Sequence, residues 1–436
     1  MTGALLGFII FVFFFVLLFL KMPVAIAMAI SGFTGLMLQL GAVPTFEVLG
    51  KELHAQFSSY TLSAVPMFVW MGYIAYHSRI GEGLFIFFHK LIGHLKGGLL
   101  FASTMASAGF GAICGSPTAA VATMGSLCYP EMRKYNYDPS LSTASIAASG
   151  NLSVLIPPSL PFIVLGIQTE QSIGALFIAG IFPGLLLTAA FIVAVYFVAR
   201  RRPERAPAGP KATWKERIIS SVGTIDIIII FLVVFGGLFA GWFTPTEAGG
   251  VGAAAVLATA LIKRKLTWKG FISSIRDTLK TTAMVLFLIF GALILGRMIT
   301  VTGMAPMLAG WLGSLAAPRG IVLLLTLLIC VILSFFIEVL SLTLIAVPVL
   351  FPVIVNILGY DPIWFAVIWV MFTSTGTITP PVGMQVFVSS AVCKVPVGEV
   401  FKGIWPFFFA TLAAAVIVII FPQIATFLPG LMIQQT

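Results

Sequence analysis

Apolar runs long enough to cross a lipid bilayer recur from one end of this 436-residue chain to the other. A spanning helix needs about 20 predominantly apolar residues, and Leu5 to Leu20, Val24 to Leu40, Ser172 to Ala199, Ile218 to Ala240 and Phe401 to Phe427 approach or exceed that length. Inside lipid the chain must satisfy its own backbone N–H and C=O groups, which leaves helices or a closed barrel. No tract alternates like the short strands of a membrane barrel, so the fold class is an all-α polytopic membrane protein. Only 9% of residues are charged and 60% are hydrophobic, against about 25% charged in a soluble domain, and a soluble enzyme is excluded. The first run follows no basic segment and precedes no A-x-A site, so it reads as a retained helix rather than a signal peptide.

The net charge is +10. In a membrane protein positive residues mark cytoplasmic loops, and no basic stretch is interleaved with aromatics as in a nucleic-acid-binding module, so no nucleic-acid partner is expected. Cys114, Cys128, Cys330 and Cys393 lie in apolar segments without CxxC spacing, and the histidines form no HExxH. Neither a disulfide framework, a zinc site nor an organic cofactor is expected.

Two apolar tracts in each half are interrupted. Gly97 to Tyr129 breaks at Cys114-Gly115-Ser116-Pro117-Thr118, which predicts a hairpin that enters and leaves on one side. Ser140 to Gln168 breaks at Gly150-Asn151-Leu152-Ser153 and Ile156-Pro157-Pro158-Ser159. Arg200 to Arg217, rich in Arg, Lys and Pro, is the one clear linker. Lys263 to Lys280 is basic, with Trp268, Phe271, Ile272, Ile275 and Leu279 at helical spacing, and predicts an amphipathic helix on the membrane surface. The chain thus divides into N-terminal helices (1–61), a first repeat (62–199; hairpin 97–129, broken helix 140–168), a cytoplasmic basic linker (200–217), helices with an amphipathic arm (218–280), a second repeat (281–428; hairpin 320–351, broken helix 362–393) and a tail (429–436).

The halves match at a nearly constant offset. Tyr137-Asp138-Pro139 corresponds to Tyr360-Asp361-Pro362, Pro157-Pro158 to Pro380-Pro381, Pro183 to Pro406, Gly81 to Gly303, Gly98 to Gly320 and Pro130 to Pro352. With the N-terminus outside, the positive-inside rule puts the linker and nearly all basic residues inside, leaving only Lys51, Arg297 and Arg319 outside. Hairpin 320–351 then enters from the face opposite to hairpin 97–129, and both termini are expected to be periplasmic. An inverted-topology repeat with two re-entrant hairpins and two Pro-Pro-broken helices points to a secondary transporter with its site near the midplane.

At each break carbonyls and amides leave the helical pattern where lipid cannot satisfy them. Carbonyls and hydroxyls suit a small hard cation such as Na⁺, and the N-terminal ends of resumed half-helices favour an anionic substrate group. The candidates are Ser116 and Thr118 at the first tip, Gly150, Asn151, Ser153 and the Ile156 carbonyl at the first break, Glu338 and Ser341 at the second tip, and Gly376, Thr377 and Thr379 at the second break. Substrate contacts are expected at Thr118, Gly150, Asn151, Pro157, Thr377, Pro380 and Pro381. A carboxylate inside a membrane is costly, so Glu338 is either functional or a protonated or snorkelling group. Arg297, near the end of its span, reads as a snorkelling side chain in preference to a substrate-carboxylate ligand, and Tyr137-Asp138-Pro139 and its mate read as helix N-caps.

Gly115-Ser116 with Ala119 to Gly125, Tyr129-Pro130-Glu131-Met132, Gly150-x-Leu152, Ile156-Pro157-Pro158-Ser159, Phe177-x-Ala179-Gly180-Ile181-x-Pro183-Gly184, Thr244-Pro245-Thr246-Glu247-Ala248, Asp361-Pro362-x-Trp364-Phe365 and Gly376-x-Ile378-Thr379-Pro380-Pro381-Val382-Gly383 together resemble the large membrane subunit of TRAP (tripartite ATP-independent periplasmic) transporters, the DctM-like or SiaM-like subunit, over essentially the whole chain. The resemblance implies an elevator-type, Na⁺-coupled symporter in the bacterial inner membrane, with residues 1–61 and 218–280 as scaffold helices. It also implies a small four-helix membrane subunit, a periplasmic substrate-binding protein and a small organic acid as substrate. Carried onto this sequence, one cation site would use Cys114, Gly115 and Ser116 with Ser153, Ile156 and Pro158, the other Glu338 and Ser341 with Gly376, Thr379 and Val382. The family commonly has Ser-Gly-Ser-Ser at the first tip and Gly-Thr-Leu-Gly at the first break, where this chain has Cys114-Gly115-Ser116-Pro117 and Gly150-Asn151-Leu152-Ser153. A stand-alone carboxylate symporter of the dicarboxylate/ion-transporter type is the rival reading. A membrane-embedded enzyme is disfavoured by the lack of HExxH, GxSxG and an intramembrane Asp pair.

Overall fold

The punctuation of the sequence by Gly, Pro and short polar caps sets where each helix begins and ends. The computed structural model describes residues 3–304, 307, 310 and 318–432; the rest of 305–317 in the second repeat and residues 433–436 of the tail lie outside the described residues. Among the described residues the regular elements are helical, and seven helices are long and apolar enough to cross a membrane. In chain order they are α1 (Gly3–Phe19), α2 (Val24–Leu40), α3 (Ala42–Phe57), α4 (Ala64–His77), α5 (Glu82–Ile92), α6 (Gly98–Cys114), α7 (Pro117–Lys134), α8 (Pro139–Ser149), α9 (Leu152–Leu155), α10 (Leu160–Thr169), α11 (Ile173–Arg201), α12 (Trp214–Phe239), α13 (Pro245–Ile262), α14 (Trp268–Val301), α15 (Arg319–Ser334), α16 (Val339–Phe351), α17 (Pro362–Gly376), α18 (Met384–Cys393), α19 (Val397–Ile420) and α20 (Gln423–Thr426).

The internal repeat is visible in three dimensions. Hairpin α6–α7, the broken helix α8–α10 and span α11 recur as hairpin α15–α16, broken helix α17–α18 and span α19, with the starts of α7 and α16, α8 and α17, α10 and α18, and α11 and α19 in the same order and spacing. The repeated Asp-Pro pair caps the broken helix in both halves. Asp138 accepts from the Leu141 amide and Asp361 from the Trp364 amide, both at 2.8 Å, and each is followed by a proline in the first helical turn, where no N–H is needed. At a rise of 1.5 Å per residue, α8 and α10 are each about 15 Å long, half of a ~30 Å hydrocarbon core, so the first break falls near the midplane. Both Pro-Pro peptide bonds are cis.

The halves interlock reciprocally. The resumed helix of each repeat packs on the outgoing hairpin helix of the other: α10 on α16, where the Gln168 amide donates to the Leu344 carbonyl at 3.2 Å, and α18 on α7, where Cys393 lies against Gly125. Extensive contacts also join α8 to α19, α2 to α14, α4 to α13 and α4 to α14. The α4–α14 seam is polar, with Tyr73 and Thr281 hydroxyls 2.8 Å apart and His77 2.8 Å from Asp277.

Three elements differ from the sequence-based expectation. The amphipathic arm at 263–280 is not a separate helix: α14 runs unbroken over 34 residues because no Gly-Pro signal separates Lys280 from the following span. Residues 42–57 form a helix that the reading for long apolar runs passes over, since Val43, Phe46, Leu49 and Leu53 alternate with Glu47, Lys51 and Glu52. The first hairpin continues to Lys134, through Pro130.

The linker is shorter than its composition suggests, since α11 reaches Arg201 and α12 starts at Trp214, and it is docked. Ala206 is fully buried; its carbonyl accepts from the Gly97 amide at 2.9 Å, the Arg205 carbonyl accepts from the Asp138 amide at 3.0 Å, and the Gly209 amide donates to Gly93 at 3.0 Å. Arg205 also pairs with the Asp138 carboxylate at 3.1 Å. Burial pushes the Asp138 carboxyl up, but the Arg205 guanidinium and the Leu141 amide outweigh it and hold the pKa below the ordinary value. A depressed carboxyl pKa stabilises docking above the ordinary carboxylate range, and that contribution is lost as pH falls through the lowered value. Asp138→Asn, which leaves the trypsin sites after Arg205 and Lys211 in place, is expected to raise cleavage there several-fold at neutral pH; an unchanged rate would contradict the docking role.

Each hairpin tip is pressed against the break of its own repeat. A Cβ on Gly376 would collide with the backbone carbonyl of Ser334, whereas one on Gly250 of α13 meets nothing within 4 Å. Gly376→Ala is expected to destabilise the protein by more than about 2 kcal/mol, because backbone cannot yield as a side chain can. Gly250→Ala should be neutral or stabilising by up to about 1 kcal/mol. Thermal unfolding of the two variants in detergent checks the contrast, and equal shifts would contradict it.

Candidate functional site

The first tip is built by a left-handed glycine. Gly115 has φ +61°, its position faces the Pro158 carbonyl so closely that a Cβ would sit 2.6 Å from that oxygen, and Gly111 packs one turn earlier on Ser153. Ser116 is the N-cap of α7, accepting from the Ala119 amide at 3.4 Å, and the Cys114 thiol points at the Ser116 carbonyl. Ser153 donates to the Gly150 carbonyl at 2.7 Å, and Ser159, the N-cap of α10, donates to the Val154 carbonyl. Cys114, Gly115, Ser116, Ser153, Ile156 and Pro158 therefore lie on one tip and the break it touches.

The second tip has the same plan with different side chains. Glu338 takes the place of Ser116: each is an extended residue immediately before the outgoing helix, and the Glu338 carbonyl accepts from the Leu342 amide at 2.9 Å. Ser341 is buried in the first turn of α16. Gly376 touches the end of α15 at Ser334, Thr379 is buried and bonded to the Thr375 carbonyl, and Val382 is exposed. The carbonyls of Ile156, Pro157 and Pro158 and those of Thr379, Pro380, Pro381 and Val382 accept no hydrogen bond from any described residue. They are free oxygens inside a membrane-embedded chain, which suits them to a hard cation.

The residues assigned to substrate divide by exposure. Gly150, Asn151, Pro157 and Thr377 are buried, Pro380 is half-buried, and Thr118 and Pro381 are exposed. Asn151 is wholly enclosed; its amide donates to the Ser374 carbonyl at 2.8 Å and its oxygen lies 2.8 Å from the Thr377 hydroxyl, so it joins the first break to the second. Sequence reasoning missed two participants. Ser374 is reached by Asn151 and is its counterpart in the other repeat, a signal present in the register. Gln385, in the first turn of α18, donates its backbone amide to the Thr377 carbonyl at 2.9 Å, is 1% exposed, and has a side-chain oxygen with no partner among the described residues.

Two of the crevices beside α14 face the hairpins. One, of about 930 Å³, lies between α3 and α14 on one wall and α10 and α16 on the other, and contains Gln56, Gln168 and Arg297. There Arg297 pairs with Glu52 at 3.2 Å, so its guanidinium is engaged by α3. The second, of about 480 Å³, lies between α4, the start of α14 and α7, lined by His77, Thr123 and Ser126. The first crevice meets the outgoing helix of the second hairpin and the second crevice that of the first.

Comparison with known proteins assigns this architecture. The family described as "Tripartite ATP-independent periplasmic transporter, DctM component" matches residues 11–424. The chain is 33% identical to the sialic acid TRAP transporter large permease protein SiaM of Vibrio cholerae, over 95% of this chain and 96% of that protein. It is 32% identical to the C4-dicarboxylate TRAP transporter large permease protein DctM of Pseudomonas aeruginosa, over 88% and 89%. It is 33% identical to the ectoine TRAP transporter large permease protein TeaC of Halomonas elongata, over 95% and 97%. In fold it is similar to the YdaH transporter of Alcanivorax borkumensis, with a TM-score of 0.58 over 87% of this chain and 89% of that one at 15% identity. These relatives are transporter components and not enzymes, and the chain belongs to the DctM family of large permeases of tripartite ATP-independent periplasmic transporters.

Proposed function

We propose that this chain is the membrane-embedded large permease of a Na⁺-coupled, binding-protein-dependent importer of a small organic acid in a bacterial inner membrane. The observation that carries the reading is the pair of hairpin tips, each pressed on a break whose carbonyls have no protein partner. One Na⁺ would be held by Cys114, Gly115 and Ser116 with Ser153, Ile156 and Pro158, the other by Glu338 and Ser341 with Gly376, Thr379 and Val382. The substrate carboxylate would sit between them, near Thr118, Pro157, Thr377, Pro380 and Pro381, with Gly150 shaping the floor. Sialic acid, a C4-dicarboxylate and ectoine, named for three relatives, all carry a carboxylate, which supports an organic acid here.

The two crevices support an elevator motion. Each separates a hairpin helix from α14, so sliding the hairpins and broken helices past α4 and α14 closes one crevice as it opens the other. The family's tripartite composition supports two partners, a small four-helix membrane subunit and a periplasmic binding protein. Proteoliposomes containing the chain and both partners, tested with labelled sialic acid, succinate and ectoine, are expected to accumulate one of these only under an inward Na⁺ gradient. Accumulation independent of Na⁺ would overturn the coupling, and uptake by the chain alone would favour a stand-alone symporter.

A further inference from the structure

Asn151 is the one side chain described here that bridges the two breaks through both of its polar ends. It and Ser374 are 223 residues apart, the spacing of the repeat, so the contact joins a position to its own mate, where the local symmetry axis must pass. A carboxamide is suited to such a place because it carries donors and an acceptor on one planar group. Its N–H donates to the Ser374 carbonyl at 2.8 Å, and the Thr377 hydroxyl lies 2.8 Å from the Asn151 oxygen and 2.7 Å from the same Ser374 carbonyl, so its one proton closes a triangle of Asn151, Ser374 and Thr377. Asn151 is 0% exposed and Thr377 5%, so neither has water to fall back on, and separating them leaves groups whose desolvation goes uncompensated.

The bridge is continuous with the walls of both candidate sites. On one side, Gly150 packs on Val121 and Pro117 of the first hairpin, and its carbonyl takes the Ser153 hydroxyl. On the other, the Thr377 carbonyl holds the Gln385 amide at the start of α18, and α18 returns to the first repeat through Ser389, which donates to the Thr143 carbonyl at 2.8 Å. The sequence places Asn151 among the substrate contacts, but both of its polar ends are already spent on protein.

We infer that Asn151 is a positioning residue that couples the two breaks, so that a change at the first break is transmitted to the second through Ser374 and Thr377. The inference rests on reading the breaks as the binding elements, but it does not depend on which ion binds there. In transport terms, a filled first site would preorganise the second, and the hairpins would move as one body.

The test is hydrogen–deuterium exchange of the full chain in nanodiscs, comparing peptides covering 150–159 and 374–384. Ser153→Ala removes the bond to Gly150 and perturbs the first break alone. With Asn151 present, it should raise exchange at 374–384 at least threefold as well; in Asn151→Ala, adding Ser153→Ala should leave 374–384 unchanged. Thr377→Val, which removes the hydroxyl's contacts to Asn151 and Ser374 but keeps the bond from the Asn151 amide to the Ser374 carbonyl, should halve the transmitted effect, and it serves if Asn151→Ala does not fold. Combining Thr377→Val with Asn151→Ala should add nothing, which a generally loosened core would not reproduce. An effect confined to 150–159 in the Asn151 protein, or transmission that survives Asn151→Ala, would overturn the inference. Replacing choline chloride by NaCl in the same experiment should protect both segments; no response to Na⁺ would count against Na⁺ coupling while leaving the transmission result to decide the role of Asn151.

Discussion

A backbone carbonyl inside lipid must find a partner, and this chain withholds one at two places. The oxygens of Ile156 to Pro158 and of Thr379 to Val382 are released because the chain leaves the helical path at Pro-Pro, so the residues four positions further on no longer bring N–H groups to them. The hairpins exist to enclose those places. Gly115 brings the first tip against Pro158, and Gly376 brings the second break against Ser334, so each tip lies directly on the break that carries the freed oxygens. The half-helices that leave each break contribute amide ends capped by Ser159 or begun at a left-handed Gly383. A polar centre is thereby assembled in a chain with few charges.

The same arrangement, repeated with opposite polarity, explains the packing around it. Because α10 rests on α16, α18 on α7 and α8 on α19, each repeat is held in place by the other. Asn151 then ties the two breaks where they meet. Around this body, α4 and α14 form a polar seam, and two crevices beside α14 face the outgoing hairpin helices. The charged linker closes the first repeat from one end, holding Gly97 and Asp138 through backbone bonds in addition to the Arg205 ion pair.

Much of this was legible in the residues. Helix breaks announce themselves through Gly and Pro, and the matched Asp-to-Pro-Pro spacing showed that the breaks come as a pair, so the hairpins, the broken helices and the residues lining them could be named. Absences of punctuation were harder to read: α14 runs through a change from basic to apolar composition because nothing stops it, and α3 is too polar to register as a span yet too regular to be a loop. Contacts between repeats were not legible. Asn151 looked like a ligand because it is polar, near a break and in a membrane, and only its three-dimensional neighbours show its side chain consumed by Ser374 and Thr377. The linker's composition likewise marked a basic cytoplasmic connection, and only the structure shows that its backbone is docked.

The central claim is that two homologous halves enter the membrane from opposite faces and meet at their breaks. Single-cysteine labelling tests it most directly. Lys134, at the end of the first hairpin, and Asn356, beyond the end of the second, are exposed repeat mates, and the four native cysteines are buried. In sealed, oriented vesicles, Lys134→Cys should react with a membrane-impermeant maleimide from one face and Asn356→Cys only from the other. Labelling of both from the same face would show two parallel halves and would contradict the account.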